Sequence, residues 1–520
     1  MNPKQLFSKI SWGVWISLLI LQATVAAAAT PKLVVLIVVD QMRGDTLEKF
    51  KPYFGQRGFS RLVSEGTVFT KATYDHVPTE TCPGHALLGS GIYAYKSGIV
   101  ANKWYSHSSQ KVVYCAEDPN APTSEEGGKP RSPILFEVKS LSQRIKEQYP
   151  KARVVGVSYK DRSSIMLVGP GADAAYWYDE KVQKFVSSSY YHYNPQVLSF
   201  NLKLGSWLNR HPVWEYSLNA PAVVCPKDKP EYHKNPPVGH PDYSGVGAAF
   251  PHPIKTIRAM HHTAWGSDLL TAFTEHVIET EDLGHNPEGN PDILALSYSN
   301  PDAVGHLFGP DSCETADTYS RLDRTLAKLL TTLEKRVGRN NLLVILSSDH
   351  GVASVPEFSQ AAGLSAGRLD LEDPPKFSTI QDLSPLRLQI EQDAAQIFRY
   401  PFSTESPSSE AFIAAAQTPG FFINNSLLRK RKIPGPRARD WLKRALLKIP
   451  GIKAAYTSDE IAEGKGSRAI RYGFRKDRSA DVIISLRENW IWNNSSPGGT
   501  GHSESYDYDS HVPLLIWGGG

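Results

Sequence analysis

Short runs of almost uninterrupted apolar, β-branched residues punctuate the chain: Leu33 to Val39, Val154 to Val157, Ile293 to Tyr298, Leu342 to Leu346, Val482 to Leu486 and Val512 to Trp517. A strand with one solvated face alternates apolar and polar residues, whereas a strand covered on both faces has no polar side to show. These six segments are therefore expected to be strands of a buried sheet. Between some of them the pattern changes to a helical period, clearest from Ala316 to Glu334, where Leu322, Leu326, Leu329, Leu330 and Leu333 fall on one stripe. Strands alternating with helices predict an α/β fold, a doubly wound, mostly parallel sheet flanked by helices.

The first residues follow a different rule. Lys4 and Lys9 precede an apolar run, Trp12 to Leu21, and a small-residue segment ending Ala26-Ala27-Ala28-Ala29. That order reads as a secretory signal over residues 1–29, too short to be a membrane span, and predicts a periplasmic or secreted protein. Residues 30–520 are then read as one α/β domain carrying two insertions. Residues 167–290 are rich in aromatics, His, Pro and Asn, and residues 360–480 mix Pro-rich loops with a basic amphipathic stretch. The insertions are expected to form a cap near the active site. The basic run Arg429-Lys430-Arg431-Lys432 reads as a solvated face.

Composition narrows the function classes. With 57 basic and 53 acidic residues, the net charge of +4 is close to balance, against the concentrated positive charge of a nucleic-acid binder. Four cysteines, Cys82, Cys115, Cys225 and Cys313, allow up to two disulfides in an exported chain and three pairings. No CxxC or Cys/His cluster suggests a thiolate metal site.

The candidate chemistry lies where the strands end. Val39 is followed by Asp40, Tyr298 leads to Asp302 and then His306, and Ser348 precedes Asp349-His350. In doubly wound sheets ligands bind beyond the carboxyl ends of the strands, so these groups should converge on one edge. Alone, each Asp/His pair reads as a cap or a hydrogen-bonding partner. Together they form the oxygen and nitrogen donor set that suits Zn²⁺. Gly499-Thr500-Gly501-His502 adds a loop histidine, and Thr81, in Thr79-Glu80-Thr81-Cys82-Pro83-Gly84-His85, puts a hydroxyl at an expected helix start. There the plain reading is an N-cap; the functional one is a metal-activated nucleophile beside anion-binding N–H groups.

Taken in order, these segments resemble the Thr-nucleophile alkaline phosphatases of bacterial periplasms, in the superfamily that also holds nucleotide pyrophosphatase/phosphodiesterases, sulfatases and phosphoglycerate mutases. The resemblance runs from about residue 31 to 520. It rests on the segments around Asp40, Thr81, Asp302, Asp349 and His502, on Gly98-Ile99-Val100-Ala101-Asn102, on Ser158-Tyr159-Lys160-Asp161-Arg162, and on Tyr508-Asp509-Ser510-His511-Val512-Pro513. It implies two Zn²⁺ per chain, one held by Asp302, His306 and His502, the other by Asp40, Asp349, His350 and the Thr81 hydroxyl. It also implies hydrolysis of small phosphorylated substrates through a phosphothreonine. Members of that family usually continue beyond the strand that ends near Trp517, so a truncated C-terminus is expected. No membrane span is expected after signal cleavage, and a monomer is compatible with the pattern.

A phosphate monoester dianion has three non-bridging oxygens to neutralise, more charge than a diester carries. Extra positive donors therefore mark a monoesterase. Lys160 and Arg162, two apart after a strand, would both point into the site if that segment stays extended, and Asn102 would add a third contact. A sulfatase nucleophile needs Cys-x-Pro, whereas Cys82 is followed directly by Pro83. Cys82 is expected instead to pack or to pair, with Cys115 as the partner. The alternatives are a phosphodiesterase on the same scaffold and a catalytically silent binding protein. His85 is read as a structural residue of the helix start, and His76, His261 and His262 as surface or packing residues.

Overall fold

The structure, a computed structural model, describes residues 30–218, 245–374, 377–492 and 498–519. The expected signal segment lies outside these residues. Strands β1 (Leu33–Val39), β2 (Thr67–Phe69), β3 (Val154–Ser158), β4 (Ala174–Asp179), β5 (Lys184–Val186), β6 (Asp292–Tyr298) and β7 (Leu342–Ser347) belong to a central sheet. Strands β8 (Ile413–Gln417), β9 (Gly420–Ile423), β10 (Ile452–Thr457) and β11 (Val482–Leu486) form a second sheet, and β12 (Leu514–Gly518) returns to the first. The central order is β2-β12-β7-β1-β6-β3-β4-β5, eight strands in all. Its middle, β7-β1-β6-β3-β4, is parallel throughout.

Alternate residues of β1 serve two cores. Leu33, Val35, Ile37 and Val39 meet helices α3 (Trp265–Thr280) and α5 (Cys313–Val337) on one face, where Leu322, Leu326, Leu329, Leu330 and Leu333 are all buried. Leu36 and Val38 meet α1 (Thr81–Leu88) and α2 (Asp161–Val168) on the other. With both faces covered, no position of β1 needs to be polar, which explains its continuous apolar run. Each buried leucine contributes about 2 kcal/mol of transfer free energy. Helix α4 (Asn300–Phe308) follows β6 and carries Asp302 and His306.

Two strand expectations change. Val482–Leu486 lies outside the central sheet, pairing antiparallel with β9 and β10. It is apolar because its own sheet is covered by α6 (Pro385–Phe398) and α7 (Gly435–Leu446), through Ile390, Leu442 and Leu446. The last strand does join the central sheet, but antiparallel to β7. A run covered on both faces has the same composition in either orientation.

Candidate active site

Strands β7, β1, β6 and β3 are consecutive neighbours with their carboxyl ends level: Val39 lies opposite Tyr298, Val38 opposite Ser347, and Ser297 opposite Ser158. Asp349, Asp40, Asp302 and Lys160 therefore emerge side by side. Asp302 sits in the first turn of α4 and His306 one turn later, a spacing that puts both on one helix face.

Asp40, Asp302 and Asp349 are all buried. Lys160 Nζ lies 2.7 Å from Asp40 Oδ2 and 2.5 Å from Asp302 Oδ2. Burial pushes the Asp40 carboxyl well above the usual range, and the charges of Asp302 and Asp349 add to the shift. Burial by itself would lower Lys160, but Asp302 and Asp40 outweigh it and hold the ammonium charged. One lysine does not balance three buried carboxylates, so the cluster favours further positive charge.

The histidines are oriented by backbone carbonyls. His306 Nδ1 donates to Thr500 O (2.8 Å), His350 Nδ1 to Gly351 O (2.9 Å) and His502 Nδ1 to Thr79 O (2.6 Å). A carbonyl can only accept, so each neutral ring presents an Nε2 lone pair on its other side. Those Nε2 atoms face carboxylates: His306 lies 3.2 Å and His502 3.8 Å from Asp302 Oδ1, and His350 lies 3.3 Å from Asp349 Oδ2 and 3.6 Å from Asp40 Oδ1. Burial holds His350 and His502 below the ordinary histidine value and keeps their lone pairs free. Fixing the tautomer through the remote nitrogen is how metal-ligating histidines are commonly oriented.

Donor atoms of Asp40, Asp349 and His350 lie within 4.8 Å of one another, as do those of Asp302, His350 and His502. His350 enters both groups because its ring stacks on His502, with centroids 3.7 Å apart. Asp40 Oδ1 and His350 Nε2 are buried without a hydrogen-bond partner. Orphaned acceptors among clustered carboxylates and imidazoles fit one or more divalent cations.

Thr81 is the first residue of α1, and the cap position belongs to Glu80. The capping reading of Thr81 therefore falls. A Cβ on Gly84 would lie 2.3 Å from Asp349 O, so glycine lets this helix press against the β7 loop. Asn102 is oriented beside it: its Oδ1 accepts from Cys82 N (2.8 Å), and its own N donates to Glu80 Oε2 (2.6 Å). Since Oδ1 is used, the Asn102 amide N–H₂ is the end left to meet a ligand. Cys82 is disulfide-bonded to Cys115, which donates from its N to Asn102 O (3.0 Å). Burial pushes Glu80 up to about 7.

Lys160 and Arg162 do not lie on an extended segment. Lys160 is the N-cap of α2 and Arg162 its second residue. Asp161 turns to Arg131 Nε (2.5 Å) and Tyr114 OH (2.5 Å), not to its neighbours' side chains. Arg162 is held charged although burial opposes it, because Tyr114 and Asp161 outweigh that cost. Its Nε has no hydrogen-bond partner.

Gln41 escaped the sequence reading, as did the contact of the helix-start residue His85 with the site. Gln41, at φ 68°, donates from Nε2 to Asp302 Oδ1 (2.8 Å) and from its backbone N to Asp349 Oδ1 (3.2 Å). Gly305 gives it room, since a Cβ there would lie 1.8 Å from Gln41 Oε1. His85 is buried, with Nδ1 3.1 Å from Asp349 Oδ2 and Nε2 2.8 Å from Ser297 Oγ. Its place one turn after Thr81 was the available signal. His76, His261 and His262 are all buried, so packing applies to them and surface exposure does not.

Comparison with known proteins identifies the family. The profile of the Type I phosphodiesterase / nucleotide pyrophosphatase family matches residues 34–366. Alkaline phosphatase PafA of Elizabethkingia meningoseptica is 31% identical over 512 residues, covering 95% of this chain and 88% of that protein. Alkaline phosphatase PhoV of Synechococcus elongatus is 29% identical, covering 95% and 86%. The crystal structure of wild-type PafA superposes with a TM-score of 0.82 at 29% identity, covering 95% of this chain and 92% of that one. This chain belongs to the type I phosphodiesterase / nucleotide pyrophosphatase family, as a phosphatase of the alkaline phosphatase superfamily.

Proposed function

We propose that this enzyme hydrolyses phosphate monoesters through a phosphothreonine at Thr81, with two zinc ions. The observation that carries this reading is the pair of overlapping donor groups, Asp40/Asp349/His350 and Asp302/His350/His502, at the carboxyl edge of the sheet. One ion is assigned to Asp302, His306 and His502, the other to Asp40, Asp349 and His350, with Thr81 Oγ completing it. When bound, the ions supply Lewis acidity, lowering the pKa of a coordinated hydroxyl and stabilising negative charge on a leaving oxygen.

The chain's own groups do the rest. Thr81 Oγ, at the head of α1, forms a bond to phosphorus as the bond from phosphorus to the alcohol oxygen breaks. Water then cleaves the phosphothreonine, releasing inorganic phosphate and restoring the hydroxyl. In the first turn of α1, Cys82 N donates to Asn102 Oδ1, Pro83 has no N–H and Gly84 N donates to Glu80 O, so Thr81 N is the amide left to favour the phosphoryl charge. Asn102, Lys160 and Arg162 donate to the non-bridging oxygens; the Arg fork spans two and Lys acts as a point charge. Three donors beyond the metal ligands favour a monoester dianion over a diester. The leader-like residues 1–29 assign the enzyme to the periplasm or the exterior.

Zinc-loaded wild type and Thr81→Ala are compared for turnover of p-nitrophenyl phosphate, a diester and a sulfate ester. Wild type is expected to hold about two zinc ions and to prefer the monoester. Thr81→Ala should keep its zinc and lose turnover by about 10³-fold or more. Full activity in that variant removes Thr81 as the nucleophile.

A further inference from the structure

The last loop of the chain brings together groups that the reaction above leaves unexplained. Asp509 is buried, and its Oδ2 accepts from two consecutive backbone amides, Ser503 N (3.1 Å) and Glu504 N (2.9 Å). Ser503 has φ 137°, a region that residues with a Cβ rarely adopt. That conformation needs an external hold, and two consecutive backbone N–H donors converging on one buried carboxylate oxygen supply it. The residue before this turn is His502. Its ring is held separately, by Nδ1 on Thr79 O, while Thr79 Oγ1 donates to Glu504 O (2.9 Å).

The main chain of Asp509 reaches the other half of the site. Asp509 O accepts from Gly351 N (2.8 Å), the residue after His350, and Tyr508 O accepts from Val352 N (2.8 Å). A Cβ on Gly351 would lie 2.1 Å from Tyr508 O, so this close approach depends on glycine. One residue thus ties the His502 turn by its side chain and the His350 loop by its backbone. The two rings it joins stack on each other.

We propose that Asp509 is a positioning residue that fixes the Ser503 turn and so aims His502 Nε2 at Asp302. This rests on the two-ion reading for its consequence, a lower affinity for the ion assigned to His502, but the geometry it controls is measurable without metal. Removing the carboxylate frees Ser503 to leave its positive φ, and the turn that carries His502 relaxes.

In metal-free Asp509→Ala, carbethoxylation of His502 mapped by mass spectrometry is expected to run several-fold faster than in wild type, with His306 unchanged. In a zinc titration against a competing chelator, the same variant should bind one of its two ions 10–100-fold more weakly, the usual cost of losing an outer partner of a ligand. The Asn variant, which keeps an acceptor of the same shape, should lose less. Unchanged His502 reactivity overturns the proposal, and so does an equal loss at both ions. If the Ala variant does not fold, Asp509→Asn is read the same way. Wild type holding fewer than two ions sinks the two-zinc reading and leaves His502 reactivity to decide the role of Asp509.

Discussion

Lys160 shows how one side chain can serve two partners. Its ammonium rests between Asp40 and Asp302, and in the proposed reaction its flexible stem would turn it towards a phosphate oxygen. Arg162 has less freedom, since the half-buried side chain is held beside Tyr114 and Asp161. Lys160→Ala and Arg162→Ala are each expected to lower monoester kcat/KM by roughly 10²–10³ while changing diester turnover little and leaving zinc content intact. The check is the ratio of monoester to diester kcat/KM, and a wild-type ratio in both variants would remove them from the phosphate clamp. Asp40, Asp302, His306, Asp349 and His350 were legible as candidate ligands because ionisable residues closely following apolar runs are conspicuous, whereas His502, on a loop, entered only through the family resemblance. Gln41 was not, since a glutamine beside an aspartate carries no signal until α4 is packed against it.

At the scale of elements, α1 is held in place by three independent contacts: Gly84 against Asp349 O, His85 beside Asp349, and the Cys82–Cys115 disulfide. The disulfide joins the residue after Thr81 to the segment whose backbone pairs with Asn102, so it sets the spacing of these two groups. It closes a sequence separation of 33 residues, which by loop-closure entropy corresponds to about 3–4 kcal/mol. The double variant Cys82→Ser/Cys115→Ser should lose about that much unfolding free energy in urea, while retaining zinc. A loss under about 1 kcal/mol would mean that packing alone holds α1. The extended reading of Lys160-Asp161-Arg162 failed because three polar residues show no period. Their helix forms because Ile165 to Val168 pack into the core shared with β1.

For the molecule as a whole, three buried carboxylates face one lysine and three histidines that carbonyls hold in the Nε2-acceptor form. Folding without cations therefore carries an electrostatic cost that bound cations offset. Chelation should lower the melting temperature, and zinc at 100-fold its Kd should restore about 2.7 kcal/mol of stability per site. Differential scanning calorimetry with EDTA and then with added zinc measures this; equal melting temperatures would argue against cations stabilising the folded state.

The sequence by itself determined the α/β class, the central strands and the order of the candidate ligands along the chain. These follow from local facts: apolar runs, their spacing and the residues that end them. Only the tertiary structure decided which strands are neighbours, that Val482–Leu486 belongs to a second sheet, and that Gly84, Gly305 and Gly351 allow three close backbone approaches. It also decided which nitrogen of each histidine faces inward. Those are properties of contacts between residues hundreds of positions apart, 423 for His502 and Thr79, and no local pattern encodes them.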